Sequence, residues 1–349
     1  MTAPLRPIDE EDLERIHSIV TTHRWSGLGG AHVLLTGGTG FVGKWLLSAI
    51  VDADRRQALN CRVSVLTRDP AAFALAAPHL ARAHNVQLLA GDVRDFDGNG
   101  QTFSHVVHAA TDVVAQASPL DTFDTCLTGT RRVLDTALAS RANVLLLSSG
   151  AVYGRQPPSL DALSESYTGA PDTLKPASAY GEGKRAAEWL GSAYAGEHGL
   201  RVMSARCFAF VGPYLPLDKH FAIGNFLRDA MSGNPIVIQG DGTPYRSYLH
   251  AADLAAWLWC ILLSGRTQTA YNVGGDEAVS IAQLAHRVVK ALGSSSEIRI
   301  LKAPVVGAAA ERYVPDVNLV RSEFELPAPL ALDVAVQRTS RWHQTVNAP

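Results

Sequence analysis

Two segments of the chain carry residues whose types and spacing suit proton and hydride transfer. One is a serine pair, Ser148 and Ser149, at the end of an apolar run. In the other, Tyr180 and Lys184 stand four positions apart in a predicted helix, so both side chains lie on one face. A phenol with a pKa of about 10 is a poor base, but a nearby ammonium favours the phenolate and lowers that pKa. Tyr180 would then accept the proton of a hydroxyl whose carbon gives up a hydride.

A glycine-rich loop lies far upstream of these residues. Residues 36–43 read Thr-Gly-Gly-Thr-Gly-Phe-Val-Gly, directly after the apolar run His32–Thr36 and before the helix-forming Lys44–Leu47. Such a loop needs glycines for a tight turn, for close approach of the backbone to a pyrophosphate and for close packing of helix on strand. The amides at the helix N-terminus then face the phosphates. The pattern predicts a dinucleotide-binding loop with these contact residues: Gly37, Gly40, Phe41, Val42 and Gly43.

The end of the second apolar run bears on the choice of cofactor. An acid at this place holds the ribose 2′-hydroxyl of NAD, whereas a cation accommodates the 2′-phosphate of NADP. Here the run Val63–Leu66 continues into Thr67, Arg68 and Asp69. Because Thr67 or Arg68 stands where the acid is expected, the sequence favours NADP over NAD. Asp69 would take the NAD role if the strand ended later.

Short apolar runs alternate with amphipathic helical patterns from residue 31 onward. Continuous Val- and Leu-rich runs are typical of strands buried on both faces, and their alternation with helices indicates right-handed βαβ units in a parallel sheet. We therefore expect an α/β protein with a Rossmann-type doubly wound sheet. The predicted strands are His32–Thr36, Arg62–Leu66, Val86–Ala90, His105–Ala109, Val144–Ser148 and Val202–Arg206.

The length of 349 residues favours two lobes, because single hydrophobic cores rarely grow beyond about 250–300 residues. After Gly212 the chain is punctuated by Pro and Gly, which suggests a second, smaller lobe, although Tyr271–Gly274 still has the composition of a sheet strand. Near the start, Asp9 is predicted to cap a surface helix that runs to about Ile19 and has no catalytic role. The predicted organisation is an N-terminal extension over 1–30, an NAD(P)-binding domain over 31–211 and about 248–274, and an α/β substrate-binding lobe over about 212–247 and 275–349.

Composition and charge exclude several other classes of protein. A hydrophobic content of 47% and a net charge of −2 describe a globular chain without an electrostatic footprint for nucleic acid or acidic membranes. The four cysteines are scattered, and no Asp, Glu, His or Cys cluster has metal-ligand spacing. Residues 1–14 lack the apolar core of a signal peptide, and the longest apolar run, Leu254–Leu263, is about half of a membrane span. We expect a cytoplasmic protein with no metal, nucleic-acid or membrane partner.

Together these features resemble the extended short-chain dehydrogenases/reductases of the NAD(P)-dependent nucleotide-sugar epimerase/dehydratase family, over nearly all of Ala31–Trp342. Further segments match motifs of that family: Gly91–Asp95, His108–Ala110, Gly240–Gly242 with Arg246 and Asp253, Tyr271–Gly274 and Arg312–Asp316. The resemblance implies an enzyme with NAD or NADP as cofactor, a nucleotide-diphosphate sugar as substrate and a homodimeric assembly.

The resemblance also implies contacts with the cofactor. Residues 92–93 would contact the adenine, residues 108–110 would lie beside the phosphates and the nicotinamide ribose, and the tyrosine and lysine of the helix would reach the cofactor as well. The implied residues are Asp92, Val93, His108, Ala109, Ala110, Tyr180 and Lys184.

Other implied roles concern the substrate. Ser149 would donate a hydrogen bond to the reacting oxygen and complete a catalytic set with the tyrosine and lysine. Arg246 would hold the diphosphate through two parallel bonds, with Arg312 also in the substrate site. Asn225 and His220 would lie in the loop and helix that cover the sugar.

Departures from the family pattern narrow the reaction. Sugar 4,6-dehydratases place an Asp-Glu pair, and decarboxylases a Glu, where this chain has Gly150–Ala151. Ala209 replaces an asparagine that contacts the substrate in the family. The segment Thr125–Cys126 replaces a second asparagine that is common in the family, and Cys126 is predicted to pack in a helix. We expect NAD(P)-dependent oxidoreduction at C4 of a nucleotide-activated (6-deoxy)hexose, by a 4-ketoreductase or a 4-epimerase. The alternatives are a 4,6-dehydratase or decarboxylase, a reductase of a free ketone, or a non-catalytic NADP-binding sensor.

Overall fold

The computed structural model describes residues 4–111, 117–219 and 221–346. The strands are β1 (His32–Thr36), β2 (Arg62–Thr67), β3 (Val86–Ala90), β4 (His105–His108), β5 (Asn143–Ser149), β6 (Val202–Cys207), β7 (Phe210–Val211), β8 (Ile236–Ile238), β9 (Tyr245–Arg246), β10 (Leu249–His250), β11 (Thr269–Val273), β12 (Val279–Ser280), β13 (Ile298–Ile300) and β14 (Arg312–Tyr313). The helices are α1 (Glu10–Trp25), α2 (Phe41–Gln57), α3 (Pro70–Ala76), α4 (Pro78–Ala81), α5 (Pro119–Ser140), α6 (Ala179–His198), α7 (Ala222–Met231), α8 (Ala251–Ser264), α9 (Ile281–Leu292), α10 (Asn318–Phe324) and α11 (Leu332–Val346). Among the described residues, none of these helices combines the length and the apolar character that crossing a membrane requires.

A seven-stranded parallel sheet forms the centre of the molecule. Its strand order is β3-β2-β1-β4-β5-β6-β11, so the order reverses between β1 and β4. The six predicted strands are all present with ends that differ by no more than one residue, and Tyr271–Gly274 overlaps β11, which pairs with β6. The predicted Rossmann-type α/β fold is confirmed. In such sheets a ligand binds outside the carboxyl ends of the strands, at the point where the order reverses.

Helices cover both faces of the sheet, because the strands carry apolar residues on each of the two faces. Leu35 of β1 belongs to the core that includes α1, α2 and α8, whereas its neighbour Leu34 belongs to the core that includes α5. Trp45 on α2 and Trp257 on α8 are fully buried in the first of these cores. The catalytic segments predicted from sequence therefore start from a rigid, double-sided scaffold.

The N-terminal helix is more deeply packed than the sequence predicted. Thr21, with a non-helical φ of +62°, divides α1, so its first part ends near the predicted Ile19 and a second part runs to Trp25. Ile16 and Trp25 are fully buried. Trp25 packs against Trp259 of α8, with 5.3 Å between the ring centroids. The predicted cap is also wrong, because the Asp9 carboxylate pairs with Arg6 and makes no capping bond. The helix is part of the core rather than a surface helix.

The segments predicted as the substrate-binding lobe contain a smaller packing unit. The helices α7 and α9 share a core with the short pair β8–β13 and with part of α11. A separate three-stranded sheet has the order β12-β9-β14, so that β14 (Arg312–Tyr313) lies beside β9. The exact division of the chain between the two lobes stays a prediction.

Candidate active site

The carboxyl end of β5 and the first turns of α6 bring the predicted catalytic side chains together. Ser149 is the last residue of β5, and Tyr180 and Lys184 lie on one face of α6. The Lys184 Nζ lies 5.9 Å from the centre of the Tyr180 ring. It donates to the carbonyl oxygen of Leu147 at 2.6 Å and to the Thr111 hydroxyl at 2.9 Å. The ammonium is therefore anchored between the ends of two neighbouring strands, beside the phenol.

Burial controls the protonation of this group of side chains. Burial raises the pKa of Tyr180, and hydrogen bonding by Ser149 acts in the opposite direction without overcoming it. Burial lowers the pKa of Lys184, because it disfavours the charged form of the lysine just as it disfavours the charged form of the tyrosine. The sequence argument expected the charge of Lys184, aided by the positive nicotinamide, to lower the pKa of Tyr180. Among the protein's own groups, burial outweighs every lowering contribution, so the pKa of Tyr180 is raised.

A second phenol, which sequence reasoning missed, lies beside the turn that follows the same serine. Hydrogen bonding by Ser149 also acts on the pKa of Tyr313, which burial raises to about 12. The Tyr313 hydroxyl lies 2.7 Å from the point where a Cβ on Gly150 would stand, and its ring packs on Phe208 with 4.6 Å between centroids. The only sequence signal was that Tyr313 belongs to the segment Arg312–Asp316, which matched a family motif.

The glycine loop has the form that a pyrophosphate site requires. Gly37 has a φ of +70°, and a Cβ on it would stand 2.5 Å from the carbonyl of Ala109 and 2.8 Å from the nitrogen of Ala110. A Cβ on Gly43 would overlap the carbonyl oxygen of Gly37. Side chains at these glycines would fill the cradle, and α2 begins directly behind it. The loop, including the predicted residues 40–43, therefore fits a dinucleotide and lies against residues 109–110.

The ring of His108 has partners inside the protein, and the expected place of residues 108–110 beside the cofactor stays a prediction. Its Nδ1 lies 2.8 Å from the Thr36 hydroxyl and its Nε2 lies 3.1 Å from the Thr130 hydroxyl. Burial, with a smaller contribution from Lys184, lowers the pKa of this histidine to about 3, so the ring is neutral. The ring joins β1, β4 and α5, and both of its nitrogens are used inside the protein rather than being free for a cofactor.

The end of β2 presents a cation, and the neighbouring acid is already engaged. The strand ends at Thr67, and the Asp69 carboxylate accepts a hydrogen bond of 2.8 Å from the N–H of Ala72 as the cap of α3. Arg68 between them is exposed. The Asp92 carboxylate accepts two hydrogen bonds from the Arg94 guanidinium and one from its backbone N–H, which lower its pKa, and the charge of Arg68 adds to that effect.

Val93, the other residue expected at the adenine, is largely buried. A Cβ on Gly129 would lie 2.8 Å from its Cγ1 atom, so the valine side chain packs closely against α5. Cys126, one turn earlier on α5, is also buried, and its Cβ would lie 2.7 Å from a Cβ on Gly183 of α6. Both side chains serve helix packing beneath the cofactor loop.

The two arginines predicted for the substrate do not lie on the same face. Strand pairing places Arg246 opposite Tyr313 and Arg312 opposite Tyr245. The guanidinium of Arg246 lies 5.9 Å from the Tyr313 ring, and that of Arg312 lies 4.6 Å from the Tyr245 ring. Because neighbouring positions on a strand face opposite sides, Arg246 lies on the Tyr313 side of this small sheet, whereas Arg312 lies on the other side and pairs with Asp161 at 3.2 Å. The expected contact of both arginines with the substrate stays a prediction.

Of the two residues predicted to cover the sugar, one is described by the structure. Asn225 lies on α7, and its side-chain oxygen accepts a hydrogen bond of 3.1 Å from Arg228. His220 lies outside the described residues.

Arg246 already has two hydrogen-bond partners within the protein. It donates to Glu311 at 2.7 Å and to the carbonyl of Tyr245 at 2.8 Å, so an anion would share or displace these partners.

A polar network that sequence reasoning did not find supports the strand ends below the site. Ser148 donates to Glu188 of α6, whose carboxylate pairs with Arg206 of β6 at 2.7 Å. Arg206 also donates to the Tyr153 hydroxyl at 2.9 Å, and Tyr153 donates to the side chain of Asn272 on β11 at 2.8 Å. These bonds hold β5, β6, β11 and α6 together, so that Ser149, next in the chain, is held in place.

Comparison with known proteins identifies the family and similar folds. Residues 33–274 match the model of the NAD dependent epimerase/dehydratase family. The chain is 29% identical over 271 residues to UDP-glucuronic acid decarboxylase 1 from Xenopus tropicalis, covering 77% of this chain and 62% of that protein. It is 25% identical over 320 residues to dTDP-glucose 4,6-dehydratase from Streptomyces niveus, covering 89% and 92%. Its fold is similar to that of a UDP-glucose 4-epimerase from Thermotoga maritima solved with UDP-glucose, with a TM-score of 0.75, 19% identity and coverage of 91% and 100%.

Proposed function

Because the chain belongs to the NAD dependent epimerase/dehydratase family, we propose that it carries out NAD(P)-dependent oxidoreduction at C4 of a nucleotide-activated hexose, without loss of water or carbon dioxide. Two reactions use this chemistry. A 4-epimerase removes hydride from C4 and returns it to the other face of the sugar. A 4-ketoreductase delivers hydride once, to a 4-keto-6-deoxy sugar.

The roles of the side chains follow from their positions. The nicotinamide cofactor supplies or accepts the hydride. Tyr180 moves the proton of the C4 oxygen, accepting it when the alcohol is oxidised and returning it when the ketone is reduced. Ser149 donates a hydrogen bond to the same oxygen, and Lys184 places a positive charge beside the phenol that favours its ionised form. Each group lies at the carboxyl end of the sheet, where ligands bind in this fold.

The observation that carries the proposal is the environment of Gly150. Elimination of water needs an acid and a base beside the catalytic hydroxyl, and the chain has Gly150–Ala151 at that place. An acidic side chain at position 150 has no room, because even its Cβ would lie 2.7 Å from the Phe208 ring and from the Tyr313 hydroxyl. The space beside position 150 is filled here by the Phe208 ring and the Tyr313 hydroxyl.

Sequence similarity favours a second candidate, a decarboxylase or a 4,6-dehydratase. Relatives with those names match the chain over most of its length. The absence of the aspartate and glutamate at positions 150 and 151 argues against both, so the oxidoreduction without elimination is the better supported reaction.

We propose NADP as the preferred cofactor and a nucleotide-diphosphate sugar as the substrate. Arg68 is exposed at the end of β2, where a 2′-phosphate would lie, and Asp69 is engaged as a helix cap. Arg246 lies on the Tyr313 side of its sheet and carries a planar fork of donors that matches phosphate oxygens. Preference for NADPH fits a net reductase better than an epimerase, because an epimerase regenerates its own oxidised cofactor.

A substrate panel tests the proposal. The purified protein is incubated with NAD⁺ or NADPH and with UDP-glucose, UDP-galactose, UDP-glucuronic acid, dTDP-glucose or dTDP-4-keto-6-deoxyglucose, and products are followed by mass spectrometry and NADPH absorbance. We expect either inversion at C4 of a UDP-hexose or NADPH oxidation matched by reduction of the keto sugar. Release of carbon dioxide from UDP-glucuronic acid, or loss of water from dTDP-glucose, would overturn the proposal.

A further inference from the structure

We propose that Thr111 is a positioning residue of the reaction centre, whose hydroxyl fixes the direction of the Lys184 ammonium and joins it to the loop that would hold the cofactor. The inference rests on the proposed function and deepens it, because it adds a residue that sets where the lysine charge lies relative to the phenol and the nicotinamide ribose. Neither the tyrosine–lysine motif nor the glycine loop contains this threonine.

The first step is the number of hydrogen bonds that the Lys184 ammonium can make. An ammonium has three N–H donors and no acceptor. Its Nζ donates one bond to the carbonyl oxygen of Leu147 at 2.6 Å and one to the Thr111 hydroxyl oxygen at 2.9 Å. Because Lys184 is only 5% exposed, bulk water does not compete for these donors. Two fixed bonds leave one proton, and the tetrahedral nitrogen then sets the direction of that proton.

The second step is the hydrogen-bond capacity of the Thr111 hydroxyl. A hydroxyl has one proton to donate and two lone pairs to accept. Because an ammonium has no lone pair, Thr111 accepts from Lys184, and its own proton goes to the carbonyl oxygen of Ala110 at 2.8 Å. The Cys126 thiol, a weak donor, lies 3.9 Å from the same oxygen and uses the other lone pair. The hydroxyl is therefore fully engaged and cannot turn away from the lysine without losing one of these contacts.

The third step is the attachment of Thr111 to the glycine loop. Its segment follows β4, and the N–H groups of Ala109 and Ala110 donate to the carbonyl and the hydroxyl of Thr36, at the end of β1, at 3.2 Å each. The segment lies so close to Gly37 that a Cβ there would stand 2.5 Å from the Ala109 carbonyl and 2.8 Å from the Ala110 nitrogen. Thr111 therefore links the position of the loop to the position of the lysine.

The consequence concerns the freedom of the ammonium. Without the Thr111 hydroxyl, the bond to the Leu147 carbonyl remains, and Nζ can rotate about it. The Nζ now lies 5.9 Å from the centre of the Tyr180 ring, a distance at which its charge acts on the phenol. Thr111 thus keeps the charge beside the phenol and directs the third proton of the ammonium toward the nicotinamide ribose.

Substitutions at position 111 test this assignment. Thr111→Val keeps the branched shape of the side chain and removes the hydroxyl, whereas Thr111→Ser keeps the hydroxyl. For whichever of UDP-galactose or dTDP-4-keto-6-deoxyglucose the unmodified protein converts, we expect Thr111→Val to lower kcat about tenfold with KM changed less than about threefold, because a hydrogen bond to a charged group is lost. Thr111→Ser should keep kcat within about threefold of the parent, since the acceptor is still present.

Thr136→Val is the matched control for the loss of a threonine hydroxyl. Thr136 is buried on α5, and its hydroxyl donates to the carbonyl of Arg132 at 3.0 Å. This substitution should leave kcat unchanged, and thermal unfolding is measured for both valine variants. If Thr111→Val lowers the unfolding midpoint more than Thr136→Val does, Thr111→Ala, which removes the hydroxyl without adding a methyl group, repeats the test.

A binding readout needs no turnover and locates the effect along the cofactor. Calorimetry compares NADP⁺ with 2′-phosphoadenosine 5′-diphosphate, and NAD⁺ with ADP, because each fragment keeps the pyrophosphate and lacks the nicotinamide ribose. We expect Thr111→Val to raise the Kd of the whole dinucleotide about threefold to tenfold and that of its fragment less than about twofold, since only the dinucleotide reaches Lys184. Equal rises would mean that Thr111 acts through the glycine loop alone.

Failure of this inference and failure of the proposed function give different results. A kcat of Thr111→Val within twofold of the parent, a Thr111→Ser variant no more active than Thr111→Val, or equal losses for dinucleotide and fragment would each overturn the role of Thr111. If the dinucleotide and its fragment differ as expected but the substrate panel shows no C4 chemistry, the role of Thr111 stands and only the proposed function is overturned.

Discussion

The Asp69 carboxylate and the Ala72 backbone N–H are joined by a hydrogen bond of 2.8 Å that caps α3. A cap of this kind stabilises a helix by about 1 kcal/mol, so turning Asp69 toward a ribose would cost that bond. The cation directly before it, Arg68, is exposed. This contact makes Asp69 less available to a ribose hydroxyl and thereby supports the proposed preference for NADP.

Arg68→Ala should therefore weaken NADP⁺ binding much more than NAD⁺ binding. A charge-assisted hydrogen bond to a 2′-phosphate contributes about 1.5–3 kcal/mol, which corresponds to at least a tenfold rise in the Kd for NADP⁺. Titration of both cofactors by fluorescence or calorimetry measures the ratio. Arg62→Ala, at the opposite end of β2, is the control. Equal losses for both cofactors would make Arg68 an ordinary turn residue.

Tyr180→Phe should abolish turnover while cofactor binding stays within about twofold, because only the proton-transfer group is removed. Lys184→Ala should damage both, since its ammonium anchors the ends of two strands through Leu147 and Thr111 as well as facing the phenol. Steady-state rates and cofactor titrations on the two variants separate these effects. Activity of Tyr180→Phe within threefold of the parent would remove Tyr180 from the mechanism.

Local sequence patterns predicted the scaffold and the motifs on it. The Val- and Leu-rich runs match buried parallel strands, and four-residue spacing on a helix correctly placed Tyr180 beside Lys184. Such patterns report neighbours along the chain or along one helix face. Tyr313 comes close to Gly150, the residue after Ser149, through the pairing of β14 with β9, which no local period encodes.

The sequence also could not predict which groups the individual side chains contact in the folded protein. The family motif around His108 suggested a cofactor contact, but its ring is occupied by two threonines from other elements. The burial of α1 was missed because that face also contains the charged Asp12, which is 1% exposed and paired with Arg338 of α11 at 2.6 Å. A buried ion pair interrupts the apolar stripe by which a packed helix is normally found.

Gly150→Ala should lower kcat at least tenfold. The new Cβ would lie 2.7 Å from both the Phe208 ring and the Tyr313 hydroxyl, so one of them must move, and overpacking of this kind costs about 1–3 kcal/mol. Kinetics and thermal unfolding are measured together, because the substitution should also lower the unfolding midpoint. Gly196→Ala on α6, where the nearest atom is 3.7 Å away, is the control. A fully active Gly150→Ala variant would show that the space above position 150 is open.

The protein should lose stability as the pH falls from about 6.5 toward 3. Burial holds the pKa of His108 at about 3, whereas a histidine in the unfolded chain has a pKa of about 6.5. Between these values the unfolded chain binds the extra proton, so the contribution of His108 is complete above pH 6.5 and declines below it. His108→Asn should reduce the slope of the unfolding free energy against pH by up to about 1.4 kcal/mol per pH unit. Urea unfolding at several pH values measures the slope, and His286→Asn on the exposed side of α9 should leave it unchanged.

Arg246 provides the sharpest test of substrate capture by the second lobe. Its guanidinium lies 5.9 Å from the Tyr313 ring, and its present partners are Glu311 and a backbone carbonyl. Arg246→Lys keeps the charge but loses the planar fork, so KM for the nucleotide sugar should rise with little change in kcat, and Arg246→Ala should raise KM further.

Removing the ion pair between Arg246 and Glu311 should have the opposite effect on the KM for the nucleotide sugar. Glu311 is about half exposed, so the pair contributes at most about 1 kcal/mol, and a phosphate must displace it to use both donors of the fork. Glu311→Gln should therefore lower KM by up to about fivefold, because the fork no longer has to be released. NADP⁺ binding should be unchanged in every one of these variants, and Arg299→Ala, whose side chain pairs with Glu297, is the control. If Arg246→Ala instead weakens NADP⁺ binding or unfolds the protein, Arg246 belongs to the scaffold, and the nucleotide-sugar assignment loses its support outside the catalytic side chains.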